Sequence, residues 1–424
     1  MKNIVLFGAG KSATCLIDYL SQTCLAHQWT LYVADTNPET LNDKLAGLPS
    51  VYPVQVNVEN TVERNSLIEK ADLVISLLPP LLHILIARSC LTKSKNLLTA
   101  SYIDEKIRLL QSEIEDKGLL FLYEMGLDPG IDHMSAMRLI DRIRSEGGKI
   151  SSFRSHTGGL VAPESDDNPW HYKISWNPRN VVRAGSAGAI FKEHHQICQI
   201  TYQHLFENTG TVTDEQSGTY SFYPNRDSLG YIPIYGLQEA ETFVRTTLRH
   251  PDFCRGWKDI VAAGLTDDQK PISSSVKTIA EWSASLRTYI NAFNKPLFDF
   301  LGFFEHNPLP AGASTSADVL QFLIEIKWKM QDQDKDLIIM LHELAYSINQ
   351  KKYALKSSLL VKGENKLRTA MAKTVGLPLG ITARLILENK IKLRGLLIPI
   401  IPEIYQPVLK ELEIRGIRFH DTVS

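Results

Sequence analysis

"NIVLFGAGKSATCLIDYL", Asn3–Leu20, decides the fold. "NIVLF" is a short apolar run that reads as a buried strand. "GAGKSA" follows it, and an apolar helical pattern then runs from about Ser12 to Gln22. Gly8 permits the tight turn, Gly10 lets the backbone approach a pyrophosphate, and the small Ala13 lets helix and strand pack closely. The helix start favours phosphate through its free N–H groups and its dipole. Alone, the GxGxxA pattern also fits a glycine turn that binds nothing. Here "WTLYVAD" supplies the next strand and ends it on Asp35, the position that hydrogen-bonds an adenosine ribose.

Outward from this unit, short apolar runs keep alternating with helical patterns. "ADLVISLLP", "KNLLTASY" and "GLLFLYEMG" read as strands, with the helical "LLHILIARSCL" between the first two. Such alternation indicates a parallel sheet covered on both faces. After Asp132 the pattern changes. A helix ending at Gly147–Gly148 leads into the strand-like "KISSFRSHTGG", "QICQITYQHLF" and "TYSFYP", separated by turn residues. The stretch 236–349 reads as mostly helical. "KKYALKSSLLVKG" returns as a strand, and "KLRTAMAKTVGLPLGITARLILEN" reads as two helical pieces split at Gly376 and Pro378.

The fold class expected is therefore α/β: a Rossmann-type parallel-sheet domain plus a mixed α/β substrate domain carrying a helical subdomain. The expected boundaries are 1–127 for the dinucleotide domain, completed by about 390–424. The substrate domain takes 128–235 and 350–389, and the helical subdomain 236–349.

The 424 residues suffice for two or three domains. A net charge of −1 gives no reason to expect nucleic acid or an anionic membrane as partner, so any cationic site must be local. The cysteines number five, an odd count with no zinc spacing, which fits reduced thiols and a cytoplasmic setting. No stretch reads as a transmembrane span or a secretory signal. No metal site is expected.

Asp35 also bears on cofactor choice. A 2′-phosphate beside this carboxylate would meet a like charge at a cost of about a few kcal/mol. Thr36, Asn37 and Pro38 follow, with no arginine to offset it. NAD is expected over NADP.

Four further segments cluster turn residues, aromatics and charges in loops, as binding sites do: "TASY" (Thr99–Tyr102), "EMGLDPGIDHM", "GGLVAPESDDNPWHYKISW" (Gly158–Trp176) and "YPNRDS" (Tyr223–Ser228). Together with "TLR" and "TAMAKTVGLP" (Thr369–Pro378), they resemble the saccharopine dehydrogenase family of the L-glutamate-forming kind. Its pattern reads ASY, GLDPGIDHM, GGLxAPExxxNPxxYKxSW, YPNRDS and TLR in this order, and the similarity runs from Lys2 to about His420.

The resemblance implies a nicotinamide dinucleotide, a role in lysine metabolism, and the interconversion of saccharopine with glutamate and 2-aminoadipate 6-semialdehyde. By it, Gly8, Gly10, Lys11, Ser12, Ala13, Asp35, Thr36, Asn57, Val58 and Ser76 line the dinucleotide. Ser101, Tyr102, Asp128, Asn168, Lys173, Ser175, Trp176, Arg226, Thr247 and Arg249 line the substrate. Saccharopine carries three carboxylates, so a near-neutral chain must gather cations for it. Lys173, Arg226 and Arg249 are the candidates, the arginines by bidentate grip. The bland readings are a turn arginine paired with Asp227, a cation at a helix C-terminus for Arg249, and core packing for Tyr102 and Trp176.

Tyr102 and Asp128 are the candidates for proton transfer, and Asp128 could also stabilise a cationic amine or iminium electrostatically. Departures from the pattern are His156 and Thr157 in "SHTGG", where the family commonly has tyrosine and cysteine, Val161 for a proline, and the charged "KGENKLR". His156 reads as a solvated or core histidine, with a polar role as the alternative. The rival functions are a related reductive-amination enzyme such as a carboxynorspermidine dehydrogenase, and a non-catalytic NAD-binding sensor. A homodimer is expected, from a mixed sheet with an apolar face.

"GLDPGIDHM" offers two aspartates and a histidine, as a metal site would. Pro129 favours an extended Asp128 with a turn after it, and Asp132 falls where a helix N-cap would. Asp128 is then the chemical candidate of the stretch.

Overall fold

The computed structural model describes residues 1–214 and 217–424. They form two compact units: 1–142 with 367–418, and 143–366 with 419–424.

The first unit is built on a parallel sheet. Its strands are β1 (Asn3–Phe7), β2 (Thr30–Asp35), β3 (Val51–Gln55), β4 (Leu73–Ser76), β5 (Asn96–Thr99) and β6 (Leu120–Leu122). The spatial order is β6-β5-β4-β1-β2-β3, and a seventh strand, Gly395–Leu397, adds in parallel beside β6. This is the doubly wound arrangement the alternating runs call for. Ile4 to Phe7 and Leu73 to Ile75 are fully buried, because both sheet faces are covered. Phe7 aligns with Ala34 and Ser76, and Ser76 with Thr99, so the carboxyl ends of β1, β2, β4 and β5 share one edge.

Several sequence expectations need correction here. "KLRTAMAKTVGLPLGITARLILEN" forms one helix, Ala370–Leu387, with Pro378 inside it. That helix belongs to the first unit, not to the substrate domain. Its glycines explain why: a Cβ on Gly376 would lie 2.7 Å from the Leu16 amide nitrogen, and one on Gly380 2.6 Å from the Tyr19 ring. The two glycines thus admit helix Thr14–His27 at close range. Burial along nearly the whole helix outweighs the roughly 3 kcal/mol a helical proline costs. The helix is also long and apolar enough to cross a membrane by length and composition, contrary to the sequence reading, but 78% of that window is buried in the unit.

The second unit holds a mixed sheet, with ten strands among the described residues. Its centre is Lys149–Val161, flanked in parallel by Thr242–Arg249 and antiparallel by Asp336–Ile348. Lys351–Lys362 and the terminal Phe419–Val423 continue one side, and Gly218–Pro224 and Gly210–Asp214 the other. Two of these central strands occupy the ends of the stretch read as helical. The helices Pro251–Ala262, Ile279–Trp282, Lys295–Leu301 and Ser316–Lys327 lie between them. They pack on an aromatic core around Trp170, Trp257, Phe253, Phe298 and Trp328.

Candidate active site

At the strand edge of the first unit, Gly8 has a φ of +99°, and a Cβ there would lie 2.7 Å from Leu77 O, so only glycine fits. A Cβ on Gly10 would meet nothing within 4 Å, which leaves open the space a pyrophosphate needs. Ala13 is buried at the start of the helix. The Asp35 carboxylate accepts the amides of Ala9, at 2.8 Å, and Asn37, at 3.1 Å. These bonds fix it at the end of β2. Lys11 and Thr36 are exposed and Ser12 is half-buried on this edge. Asn57 and the buried Val58 follow β3. The donor-rich turn, the open Gly10 and the fixed carboxylate fit a dinucleotide.

Sequence reasoning missed Lys44. Its ammonium donates to Gly10 O and lies in the field of Asp35, and burial pushes its pKa down to about 8. It reaches this edge from the helix Pro38–Leu45, too far along the chain for a reading of the next few positions to find.

The same edge carries a buried relay. Ser76, at the end of β4, bonds His83 Nδ1 at 2.8 Å, and Ser101, just past β5, bonds Nε2 of the same ring at 2.6 Å. Burial pushes the His83 pKa down to about 4, so the ring is neutral and each serine meets one nitrogen. His83 opens an apolar helix, where sequence offers no sign of two hydroxyl partners. Tyr102 donates its hydroxyl to Asp128 Oδ1 at 3.1 Å, the pair that the pattern brought forward. In "GLDPGIDHM" the two acids do differ. Asp132 is buried in the first turn of helix Ile131–Ser145 and accepts the Gly130 amide at 2.6 Å. It thus lies one position inside the helix rather than ahead of it. His133 is buried, with Nε2 at 2.8 Å from Glu124 Oε2.

In the second unit, the loop after Lys149–Val161 is anchored by Trp170. Its ring is buried in the aromatic core and its Nε1 donates to Leu297 O at 2.6 Å. Asn168 braces the same turn, accepting the Trp170 amide and donating to Tyr172 O, each at 3.1 Å. Trp176 donates to the Tyr172 hydroxyl at 3.0 Å and packs half-buried on the core, while Ser175 is buried.

Lys173 departs from its expected role. Its ammonium is buried between Asp167 and Asp334, 2.7 Å from each. Burial alone would lower its pKa, but the two carboxylates outweigh that and raise it. Its charge is already matched and is not on offer to a substrate carboxylate. Sequence could not show this, because Asp334 lies 161 positions away.

Arg249 is the opposite case. It ends a strand, Thr242–Arg249, not a helix, so the helix-dipole explanation falls. The side chain is buried, with its guanidinium over the Tyr172 and Phe253 rings at 5.3 and 5.4 Å. NH1 donates to Leu248 O, Nε has no partner, and no carboxylate pairs with it among the described residues. Thr247, two residues back, aligns with Tyr223 on the neighbouring strand. Arg226 is exposed on the short strand Arg226–Asp227, and the Asp227 carboxylate accepts the Leu229 and Gly230 amides. His156 is fully buried between Thr246, at 2.7 Å, and Glu343, at 3.3 Å, which is the core reading of that departure. The hydroxyl of Thr157 is buried with no partner among the described residues.

Comparison with known proteins agrees with the family resemblance. Residues 126–417 match the family described as saccharopine dehydrogenase C-terminal domain, and residues 4–122 match the saccharopine dehydrogenase NADP binding domain. The chain is 31% identical to alpha-aminoadipic semialdehyde synthase of Arabidopsis thaliana over 98% of its own length and 44% of the relative's. It thus spans about half the length, or less, of the first curated relatives it matches. It is also 31% identical to saccharopine dehydrogenase [NADP(+), L-glutamate-forming] of Saccharomyces cerevisiae, covering 97% of each. Among solved structures, apo saccharopine dehydrogenase (L-Glu forming) of Saccharomyces cerevisiae superposes with a TM-score of 0.89 at 28% identity, over the whole of both chains. A homospermidine synthase of Legionella pneumophila shares the fold alone, with a TM-score of 0.58 at 10% identity over all of this chain and 91% of that one.

Proposed function

The chain belongs to the saccharopine dehydrogenase family, and from that membership we propose that it oxidises saccharopine to L-glutamate and 2-aminoadipate 6-semialdehyde, or runs the reverse condensation. The observation that carries this reading is Arg249: a buried guanidinium without an acidic partner among the described residues. Burying an unpaired cation is costly, and a carboxylate ligand removes that cost. An amine with three carboxylates is the kind of substrate that supplies one.

The dinucleotide, when bound, supplies the hydride acceptor or donor. The carbon of the C–N bond on the lysine-derived side loses a hydride, and the amine becomes an iminium. Water adds to that carbon, and the carbinolamine breaks its C–N bond to release glutamate and the aldehyde. The substrate ammonium gives up one proton before the hydride leaves, the added water gives up two on its way to the carbonyl oxygen, and the departing nitrogen takes up two to leave as glutamate's ammonium, so one proton is released overall. Tyr102 and Asp128 share a hydrogen bond through which such protons can pass. Asp128 also offsets the iminium charge electrostatically. Thr247 is assigned to the substrate beside Arg249, and Arg226 to a second carboxylate.

The cofactor preference we propose is NAD, although relatives are named for NADP(+). The support is the fixed anion of Asp35 where a ribose 2′-hydroxyl binds. Lys44 works in the other direction, but its ammonium already bonds Gly10 O.

The substrate reading is tested by comparing saccharopine with secondary amines that carry fewer carboxylates, using the wild type and Arg249→Gln. Wild-type kcat/KM should favour saccharopine, and Arg249→Gln should lower it by roughly 10–100-fold, as loss of a charged hydrogen bond does. Equal rates with a carboxylated polyamine would favour the rival reductive-amination activity.

A further inference from the structure

The neutral His83 ring carries one N–H, and its two nitrogens meet two hydroxyls, Ser76 at 2.8 Å and Ser101 at 2.6 Å. One nitrogen therefore donates and the other accepts. Two proton arrangements satisfy the ring. With the proton on Nδ1, the ring donates to Ser76, and Ser101 spends its own hydrogen on Nε2. With the proton on Nε2, Ser76 spends its hydrogen on Nδ1, and Ser101 keeps its own. The tautomer thus decides whether Ser101 has a hydrogen to offer a ligand.

Burial decides between the two. Ser76 is fully buried at the end of β4, and His83 Nδ1 is the one hydrogen-bond partner of its side chain among the described residues. Were Nδ1 protonated, the Ser76 hydrogen would be left in the core without an acceptor, which native interiors avoid. Ser101 is half-buried, so its hydrogen has an outlet. The proton therefore lies on Nε2, set by the bond that the other nitrogen makes. Asp104 acts on the ring through its field alone, and its carboxylate accepts the Ile107 amide at 2.9 Å. The Ser101 main chain is fixed on both sides: its amide donates to Thr99 Oγ1 at 3.2 Å, and its carbonyl accepts the Glu124 amide at 3.1 Å. With the Ser101 oxygen gripped by Nε2–H, its hydrogen must point away from the ring.

We propose that His83 is a positioning residue that holds Ser101 as a hydrogen-bond donor to a carboxylate of the substrate. The carboxylate rests on the saccharopine reading above. Both nitrogens of saccharopine are protonated near neutral pH, so its acceptors are its carboxylates. The opposite tautomer would turn only the lone pairs of Ser101 toward an anion and repel it. Ser101 directly precedes Tyr102, whose hydroxyl donates to Asp128. The two neighbours thus divide the work, Ser101 orienting the substrate beside the pair that passes protons.

Nitrogen-15 NMR of the histidine-labelled full chain reads the tautomer directly. The His83 signals, identified by their loss in His83→Gln, should show a neutral ring protonated on Nε2. A proton on Nδ1, or on both nitrogens, overturns the proposal. Should the variant not fold, neutron diffraction from wild-type crystals locates the same hydrogen. Kinetics tests the link to substrate. Ser101→Ala should lower kcat/KM for saccharopine by roughly 10–100-fold, mainly through KM. His83→Leu can neither donate nor accept. It should lower kcat/KM by about 10-fold in the wild type but by less than about 2-fold in Ser101→Ala. His83→Gln offers one donor and one acceptor and should recover most of that loss. An equal loss in both backgrounds makes His83 merely structural and overturns the proposal, as does an unaffected Ser101→Ala. A wild type that does not turn over saccharopine defeats the proposed function and the carboxylate with it. A wrong tautomer beside normal turnover defeats this inference alone.

Discussion

Asp35 and His83 act at the scale of single residues. The Asp35 carboxylate is held by two backbone amides, so it keeps one place at the end of β2. Replacing it with serine removes the like charge that a 2′-phosphate would meet. Asp35→Ser should raise the ratio of kcat/KM with NADP to that with NAD by on the order of 10-fold, about 1.4 kcal/mol. An unchanged ratio in steady-state assays would remove Asp35 from cofactor choice. His83 has a consequence for pH. Its folded pKa, about 4, lies below the ordinary 6.5, so the unfolded chain takes up the proton first. Its stabilising contribution is complete above pH 6.5 and is lost as pH falls toward 4. By about pH 5 the loss should reach about 2 kcal/mol. Denaturant unfolding at neutral pH and at about pH 5 should show this component in the wild type and not in His83→Gln. Residues like these mark how far sequence reaches. Asp35 was legible because its role follows from a local strand end. His83 was not, because its serine partners come from the ends of two different strands.

At the scale of elements, helix Ala370–Leu387 shows packing overriding local signals. Glycine and proline within one run read as a break, yet the helix continues through both. Gly376 is explained by what lies beside it, the backbone of helix Thr14–His27 at contact distance. Gly376→Ala should therefore destabilise the protein by about 1–3 kcal/mol through overpacking, despite alanine's better helix propensity. A thermal melt equal to or above the wild type's would show that the helices can move apart at no cost. The same limit explains the misread setting of Arg249. "TTLR" carries β-branched residues suited to a strand, but its neighbours suggested a helix, and only pairing with Lys149–Val161 decides the matter.

At the scale of the molecule, the first unit's sheet was legible and the second unit's in part, since two of its central strands lay in a stretch read as helical. Alternating apolar runs gave the parallel sheet, because strands buried on both faces leave a plain pattern. The ordered motifs gave the family. Which cations are free to meet a substrate needed coordinates: Lys173 is matched by two aspartates, while Arg249 has none beside it among the described residues. The function proposed for this chain is oxidation of the C–N bond of saccharopine. Its most direct measurement adds saccharopine to the purified chain with NAD, or with NADP, and counts products. The expected result is saturable formation of reduced dinucleotide, with one glutamate released for each. No reduced dinucleotide with either cofactor, and none consumed with glutamate plus the semialdehyde, would contradict it.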